Sequence, residues 1–302
     1  MTKPSILLTG SRGQLGLTLA HYWSASDLAK KFELLHYDID EMDLTSTSAV
    51  NQELNRVMPH TIVNTAAYTA VDQAEAERDA AFAVNEHAVA NLADWAAAHD
   101  CRIVHVSTDF VFDGRQDSPY GPEDIAAPLS IYGASKLAGE QQLAARLPDN
   151  HVIVRTSWLY SEYGKNFVKT MLRLMQQQEE LGVVADQIGS PTSTHTLAAF
   201  LLSLLNHKSK PGIYHWTDGA SISWYEFAVA IQREYVNQGM LNRKVMINPI
   251  TTAEYPTAAT RPAYSVLDRN KALVEFQLEE SSWQEELGQV VTRIKQGFVK
   301  ST

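Results

Sequence analysis

The sequence predicts an α/β protein: a doubly wound parallel sheet with a smaller α/β lobe attached. Two observations carry this. Short β-branched runs at Ser5–Thr9, Glu33–Asp38, Thr61–Ala66, Arg102–Ser107 and Val152–Thr156 alternate with helical stretches. Strict alternation of strand and helix gives parallel pairing, with right-handed crossovers that cover both faces of the sheet. In addition, Gly10-Ser11-Arg12-Gly13-Gln14-Leu15-Gly16 directly follows the first run and opens a helix. In a Rossmann-type sheet that turn is where backbone N–H groups and the helix dipole receive a pyrophosphate.

Taken in order, Ile6-Leu7-Leu8 and Ile103-Val104-His105-Val106 read as strands buried on both sides, because apolar residues occupy both alternations. The stretch from Asp72 to about His99 is Ala-rich and helical, with Asp72 and Glu75 as an N-terminal cap and acidic third position, and Asn85-Glu86 marks a bend. After Thr156 the rhythm loosens. Helices are expected at Asn166–Gln178, Ser193–Leu205, Ser223–Asn237 and Ser282–Phe298, and short strands near Gly182–Ala185, Gly212–His215 and Lys244–Ile247. Breaks fall at Gly189–Pro191, Lys210–Gly212 and Pro256–Pro262. The expected division is a nucleotide-binding Rossmann domain over 1–157, with 186–206 packing back on it, and a substrate-binding lobe over 158–302.

A chain of 302 residues, 45% of them hydrophobic, can bury a sizeable core. No apolar run reaches the roughly 18 residues that span a bilayer. Met1-Thr2-Lys3-Pro4 leads straight into the first strand without a signal-peptide pattern, so a cytoplasmic protein is expected. One cysteine, Cys101, excludes an intramolecular disulfide and any multi-cysteine metal site. The ten histidines show no ligand spacing, and no metal is expected. A net charge of −10 argues against general nucleic-acid binding, while an anionic small ligand remains compatible with local N–H donors and a few bases.

The chemistry concentrates at a few places. Tyr132-Gly133-Ala134-Ser135-Lys136 sets a phenol and an ammonium four residues apart on a helix, where they share a face. The ammonium is expected to favour the ionised phenol and make it a usable proton donor near neutral pH. Ligands of open parallel sheets sit beyond the strands' carboxyl ends. Three such ends stand out: Asn64-Thr65-Ala66-Ala67, Ser107-Thr108-Asp109 and Arg155-Thr156-Ser157-Trp158. Ala66 and Ala67 let a cofactor lie close to the backbone, and Thr108 offers a hydroxyl to a substrate carbonyl. Trp158 reads equally as core packing or as a platform for a sugar or base. Asp38, ending the second strand, suits the ribose of NAD, whereas Arg12 suits the 2′-phosphate of NADP. Both NADPH and NADH stay open. Together these pieces read as a nicotinamide-dependent reductase.

Longer motifs narrow the reading. Asn64 through Asp72, Ser107-Thr108-Asp109-Phe110-Val111-Phe112, Tyr132 through Glu140 and Arg155 through Tyr160 are joined by Asn166-Phe167, Asp186-Gln187-x-Gly189-x-Pro191-Thr192, Gly212-Ile213-Tyr214-His215 and Arg261-Pro262. In these the chain resembles the extended short-chain dehydrogenases/reductases, and within them the dTDP-4-dehydrorhamnose reductases. The resemblance implies a Thr108–Tyr132–Lys136 catalytic set and reduction of a 4-keto nucleotide sugar by NADPH or NADH. It places Gly10, Gly13 and Gly16, with Arg12, Gln14 and Leu15 between them, at the pyrophosphate, and Asp43-Leu44 near the adenine. Thr69, Val71, Trp158 and Arg261, with Asp109 and Asn166, fall to the nucleotide sugar. Phe110 stands where related reductases often carry Tyr, which removes a hydroxyl. Thr18 stands where an acid would be sought for a metal-bridged dimer, so a homodimer is allowed and a metal is not expected. Two rivals share the fold: an epimerase or dehydratase that retains its NAD, and a non-catalytic regulatory subunit of methionine adenosyltransferase.

Overall fold

Ser5–Thr9 (β1) is buried at every position, as a strand covered by helices on both sides must be. In the computed structural model, which describes residues 3–207 and 210–301, it lies between Glu33–Tyr37 (β2) and Thr61–Asn64 (β3). Met1 and Thr2, part of the N-terminal reading above, lie outside the described residues. Arg102–Thr108 (β4), His151–Thr156 (β5) and Gly212–His215 (β6) complete a six-stranded sheet of order β6-β5-β4-β3-β1-β2, parallel throughout. The chain winds one way from β1 to β2 and the other way from β3 onward, so the sheet has a switch point between β1 and β3, and the crevice there opens at the strands' carboxyl ends.

The helices in chain order include Gln14–Trp23 (α1), Thr47–Val57 (α2), Ala88–Ala98 (α3), Ile131–Arg146 (α4), Phe167–Gln177 (α5), Thr194–Asn206 (α6), Trp224–Asn237 (α7) and Trp283–Ser301 (α8). Alternate strand residues choose their face. Ile6 and Leu8 pack with Leu15 and Leu19 of α1 and with Leu197, Leu201 and Leu204 of α6. Leu7 points the other way, to Val50 and Leu54 of α2, Leu92 of α3 and Leu143 of α4. A separate core joins α5, α7 and α8 through Met171, Met175, Phe227, Ile231, Leu287 and Val291. It is flanked by a parallel pair, Glu180–Val184 with Met246–Ile250. Among the described residues no helix is long and apolar enough to cross a membrane.

Two expectations are corrected. Gly212–His215, expected among the strands of the second lobe, pairs in parallel with β5 and is the sheet's outer strand. Tyr214 there is fully buried against α6. The stretch 72–99 is not one helix capped by Asp72: it runs as Val71–Ala74, Arg78–Phe82, a π-helical turn over Ala83–His87, and α3. Ala70, which has no polar side chain, occupies the cap position, and the Asp72 carboxylate is instead engaged by Arg261 and the Ala259 N–H. The bend foreseen at Asn85-Glu86 is the π turn. Buried Asn85 accepts from Tyr68 N (2.9 Å) and donates to Tyr68 O (3.0 Å) and Ser135 Oγ (3.0 Å), which pins the loop after β3 to α4.

Gly139 lets α4 lie directly on that turn, since a Cβ there would stand 2.0 Å from the Asn85 carbonyl oxygen. Gly139→Ala is expected to cost about 1–3 kcal/mol through forced separation of the two segments. The check is the urea midpoint at unchanged slope; a midpoint equal to the parent's would show that the segments part without cost.

Candidate active site

A cavity of about 850 Å³ opens at the carboxyl ends of β1, β3, β4 and β5. Its floor is made where the loop after β1 meets the loop after β3. Gly10 has φ +67°, and a Cβ on it would stand 2.7 Å from Ala66 N, so only glycine allows this approach. Gly13 begins α1 with no side-chain cap, which leaves the first turn's N–H groups without a side-chain partner at the cavity wall. A narrow glycine cradle ending in an uncapped helix N-terminus fits a dinucleotide pyrophosphate.

At the end of β2, Asp38 accepts from Arg12 N (2.9 Å) and Ile39 N (2.9 Å) and lines the cavity with Met42, Asp43, Leu44 and Thr45. The Arg12 guanidinium, expected at the cofactor, is exposed beyond the end of β2, where it pairs with Asp40 and Glu41, and it is absent from the lining.

The reactive corner lies where β4 meets the first turns of α4. Ser130 caps α4 by accepting from Gly133 N (3.1 Å), and Tyr132 and Lys136 then face the end of β4. Lys136 Nζ donates to Val106 O (2.7 Å) and lies 3.2 Å from His105 Nε2. His105 Nδ1 is 3.0 Å from Asn64 Nδ2, and Asn64 Oδ1 accepts from Thr9 Oγ1 (2.7 Å). The lysine is thus tied through β4 and β3 to β1. Thr108 Oγ1 donates to Asp109 Oδ1 (3.1 Å), whose other oxygen accepts from Ser265 Oγ (2.6 Å).

Burial governs the ionisation here. It lifts the Tyr132 phenol to about 12, against a hydrogen bond with Thr108 that works downward and the Asp109 charge that adds to the rise. It lowers Lys136 to about 8, opposed by Glu140, and raises Asp109 to about 6, opposed by Ser265 and Thr108. The sequence led to the opposite expectation for the phenol. The reason for the difference is that the ammonium is directed to the Val106 carbonyl, while the ring is enclosed and packed edge-on against Phe110 at 5.6 Å. A phenol held protonated at neutral pH is the form that donates a proton.

The opposite wall comes from later parts of the chain. Trp158 sits at φ +47° and stacks on Trp224 at 3.5 Å while also lining the cavity, so packing and platform coincide. Arg261 also lines the cavity, as do Ala67, Thr69 and Val71 from the loop after β3. Arg261 grips Asp72 with two bonds (2.7 and 3.1 Å). Asn166, expected at the substrate, is absent from the lining: it caps α5 and donates to Ser161 O (2.8 Å) and Gln14 Oε1 (3.3 Å), closing the 161–166 loop onto α1. Thr18 is buried and bonds to Thr194 Oγ1 (2.7 Å), joining α1 to α6.

The sequence profile of the RmlD substrate binding domain matches residues 4–296. The dTDP-4-dehydrorhamnose reductase of Aggregatibacter actinomycetemcomitans is 45% identical over 287 residues, 93% of this chain and 96% of that one. The chain belongs to the dTDP-4-dehydrorhamnose reductase family. Two crystal structures of family members agree in fold. That of Clostridium acetobutylicum superposes with a TM-score of 0.89 at 38% identity, over 96% of this chain and 99% of that one. That of Bacillus anthracis, in complex with NADP, gives 0.88 at 39%, over 97% and 100%.

Against this family's cavity, the sequence reading missed Lys165 and Trp224, both in its lining. The signals were thin: a base next to Gly164 in a loop, and an aromatic opening a helix beside Ser223. Lys136, at about 8 against an ordinary 10.5, loses its charge as the pH rises past 8. The alkaline limb of kcat/KM, which reports the free enzyme, is therefore expected to bend near pH 8, far below the phenol. Lys136→Met should remove that bend and lower turnover; the same bend in the variant assigns it to another group.

Proposed function

We propose that the chain reduces dTDP-4-dehydro-L-rhamnose to dTDP-L-rhamnose, a donor for bacterial surface polysaccharide, using NADH or NADPH. One observation carries this: the Gly10 cradle, the Thr108–Tyr132–Lys136 set and Arg261 border a single cavity. The dinucleotide supplies hydride. The chain's own residues do the rest. Gly10, Gly13 and the first turn of α1 bind the pyrophosphate through backbone N–H groups, and Lys136 orients the nicotinamide ribose from its seat against Val106 O. The Thr108 hydroxyl turns its proton from Asp109 Oδ1 to donate to the C4 carbonyl oxygen, and Tyr132, protonated because it is buried, gives its proton to that oxygen as negative charge develops. Asp109 positions Thr108.

Residues 1–157, with 186–206 against them and β6 added to their sheet, are assigned to the dinucleotide, and the remainder of 158–302 to the sugar nucleotide. A single buried thiol, Cys101, pushed up to about 12 by burial, suits a cytoplasmic enzyme. A homodimer is compatible with this reading. The intact catalytic set disfavours a regulatory subunit; an epimerase or dehydratase would hold its NAD through purification.

The primary test mixes the purified protein with dTDP-4-dehydro-L-rhamnose and either nucleotide, follows nicotinamide absorbance and identifies the sugar product. Cofactor oxidation without dTDP-L-rhamnose would sink the assignment. Tyr132→Phe keeps the ring and removes the proton, so turnover should fall about 10²–10⁴-fold with cofactor binding retained. Near-normal turnover would move the general acid elsewhere, with Asp109 first in line. Arg261→Ala is expected to weaken dTDP by about 1.5–3 kcal/mol in calorimetry and leave the dinucleotide unaffected. Because Asp72 already occupies the guanidinium, Asp72→Asn should tighten dTDP; equal affinities in all three proteins would remove Arg261 from the substrate site.

A further inference from the structure

We infer that Lys165 is a binding residue for the pyrophosphate of the dinucleotide, reaching it from the 161–166 loop across the first turn of α1. The inference rests on the proposal that this cavity holds a nicotinamide dinucleotide, and it adds to that site a residue outside both the glycine cradle and the Tyr132/Lys136 motif.

The loop that carries Lys165 is fastened along its length. Ser161 Oγ donates to Gln14 Oε1 (3.1 Å), and Asn166 Nδ2 donates to the same oxygen (3.3 Å) and to Ser161 O (2.8 Å). Glu162 Oε2 lies 2.8 Å from Nε2 of buried His195, and the Glu162 carbonyl accepts from Lys169 Nζ (2.9 Å). His195 Nδ1 is in turn 2.9 Å from Tyr22 OH, so α6 and α1 both hold the loop. Gly164 adopts φ +58°, and a Cβ on it would lie 3.8 Å from Gln14 Cβ. The backbone just before Lys165 is therefore seated beside the residue that opens α1.

While the backbone is fixed, the ammonium is uncommitted. The basic residues of the lining are Lys136, Lys165 and Arg261. Lys136 donates to Val106 O at the reactive corner, and Arg261, proposed for the sugar nucleotide, pairs with Asp72. Lys165 is exposed and makes no hydrogen bond or ion pair with the described residues. A pyrophosphate carries negative charge on both phosphates, and the cradle answers it with backbone N–H groups, since Gly13 begins α1 with no side-chain cap. An ammonium is a compact point charge with rotatable donors on a flexible stem, so it can meet either phosphate without the fixed alignment that a guanidinium requires. Of the bases in the lining, Lys165 is the one whose segment packs against Gln14.

The test titrates NADH, ADP-ribose and dTDP into the parent, Lys165→Gln and Lys165→Arg by calorimetry. ADP-ribose keeps the pyrophosphate and lacks the nicotinamide, which separates this contact from that of Lys136. Lys165→Gln should weaken NADH and ADP-ribose alike by roughly 5- to 20-fold, the worth of one charge-assisted bond at a partly solvated site. Lys165→Arg keeps the charge and should recover most of the loss. Raising the salt should narrow the gap between the parent and Lys165→Gln, since a partly exposed pair is screened. dTDP should bind all three proteins equally, which also shows that the variants are folded. Unchanged NADH and ADP-ribose affinities in Lys165→Gln overturn the inference and leave the cavity's role standing. So does a loss confined to dTDP, which passes the lysine to the sugar nucleotide, or one confined to NADH, which passes it to the nicotinamide half. A parent that binds neither NADH nor ADP-ribose overturns the cavity's role itself.

Discussion

The backbone of Gly10 rests against that of Ala66, and the rest of the site is arranged around this contact. β1 and β3 are neighbours whose chains leave the sheet in opposite directions, so their following loops meet over the crevice. Any side chain at Gly10 would drive them apart. With the loops in contact, the first turn of α1 points into the cavity and the segment 66–71 forms its wall. Asn85 secures the far end of that wall by taking both the N–H and the carbonyl of Tyr68. Cradle and wall are thus set by backbone, which leaves the side chains around them to do chemistry.

Those side chains work by being enclosed. Tyr132, Lys136, Asp109 and His105 are all buried, and desolvation is the largest influence on each. Its sign differs with charge type, raising the phenol and the carboxylate while lowering the lysine and the histidine. His105 is driven well down by burial and then by Lys136, so it stays neutral, with Nε2 3.2 Å from Lys136 Nζ. A phenol kept protonated at neutral pH is suited to hand its proton to an oxygen that becomes basic only during a reaction.

Much of this was legible in the sequence, and the parts that were not share a cause. Runs such as Ile6-Leu7-Leu8 announce a strand buried on both faces, and the glycine loop and the Tyr132/Lys136 spacing are local patterns. Gly212–His215 shows only that it is a strand; which sheet takes it depends on pairing with β5, some sixty residues earlier. The pairs Leu159–Tyr160 with Thr192–Ser193 and Ile188–Gly189 with Ile222–Ser223 are two residues long, too short for any alternation to register. The partners of Arg12 and Asn166 were illegible for a related reason. Each residue is the right chemical type in the right segment, and each is engaged by partners whose positions only the folded chain fixes.

The enclosure of Lys136 also bears on how firmly the chain holds together. A folded value near 8 against an ordinary 10.5 means that unfolding returns this ammonium to water at a gain. The difference corresponds to roughly 3 kcal/mol. The sign follows from proton uptake: between pH 8 and 10.5 the unfolded chain binds the extra proton, so stability climbs with pH across that window and carries the full penalty below it. At neutral pH, a protein whose resilience is only about 5–15 kcal/mol in total gives up a substantial part of it at one position. A methionine there is expected to make the molecule sturdier while lowering its turnover.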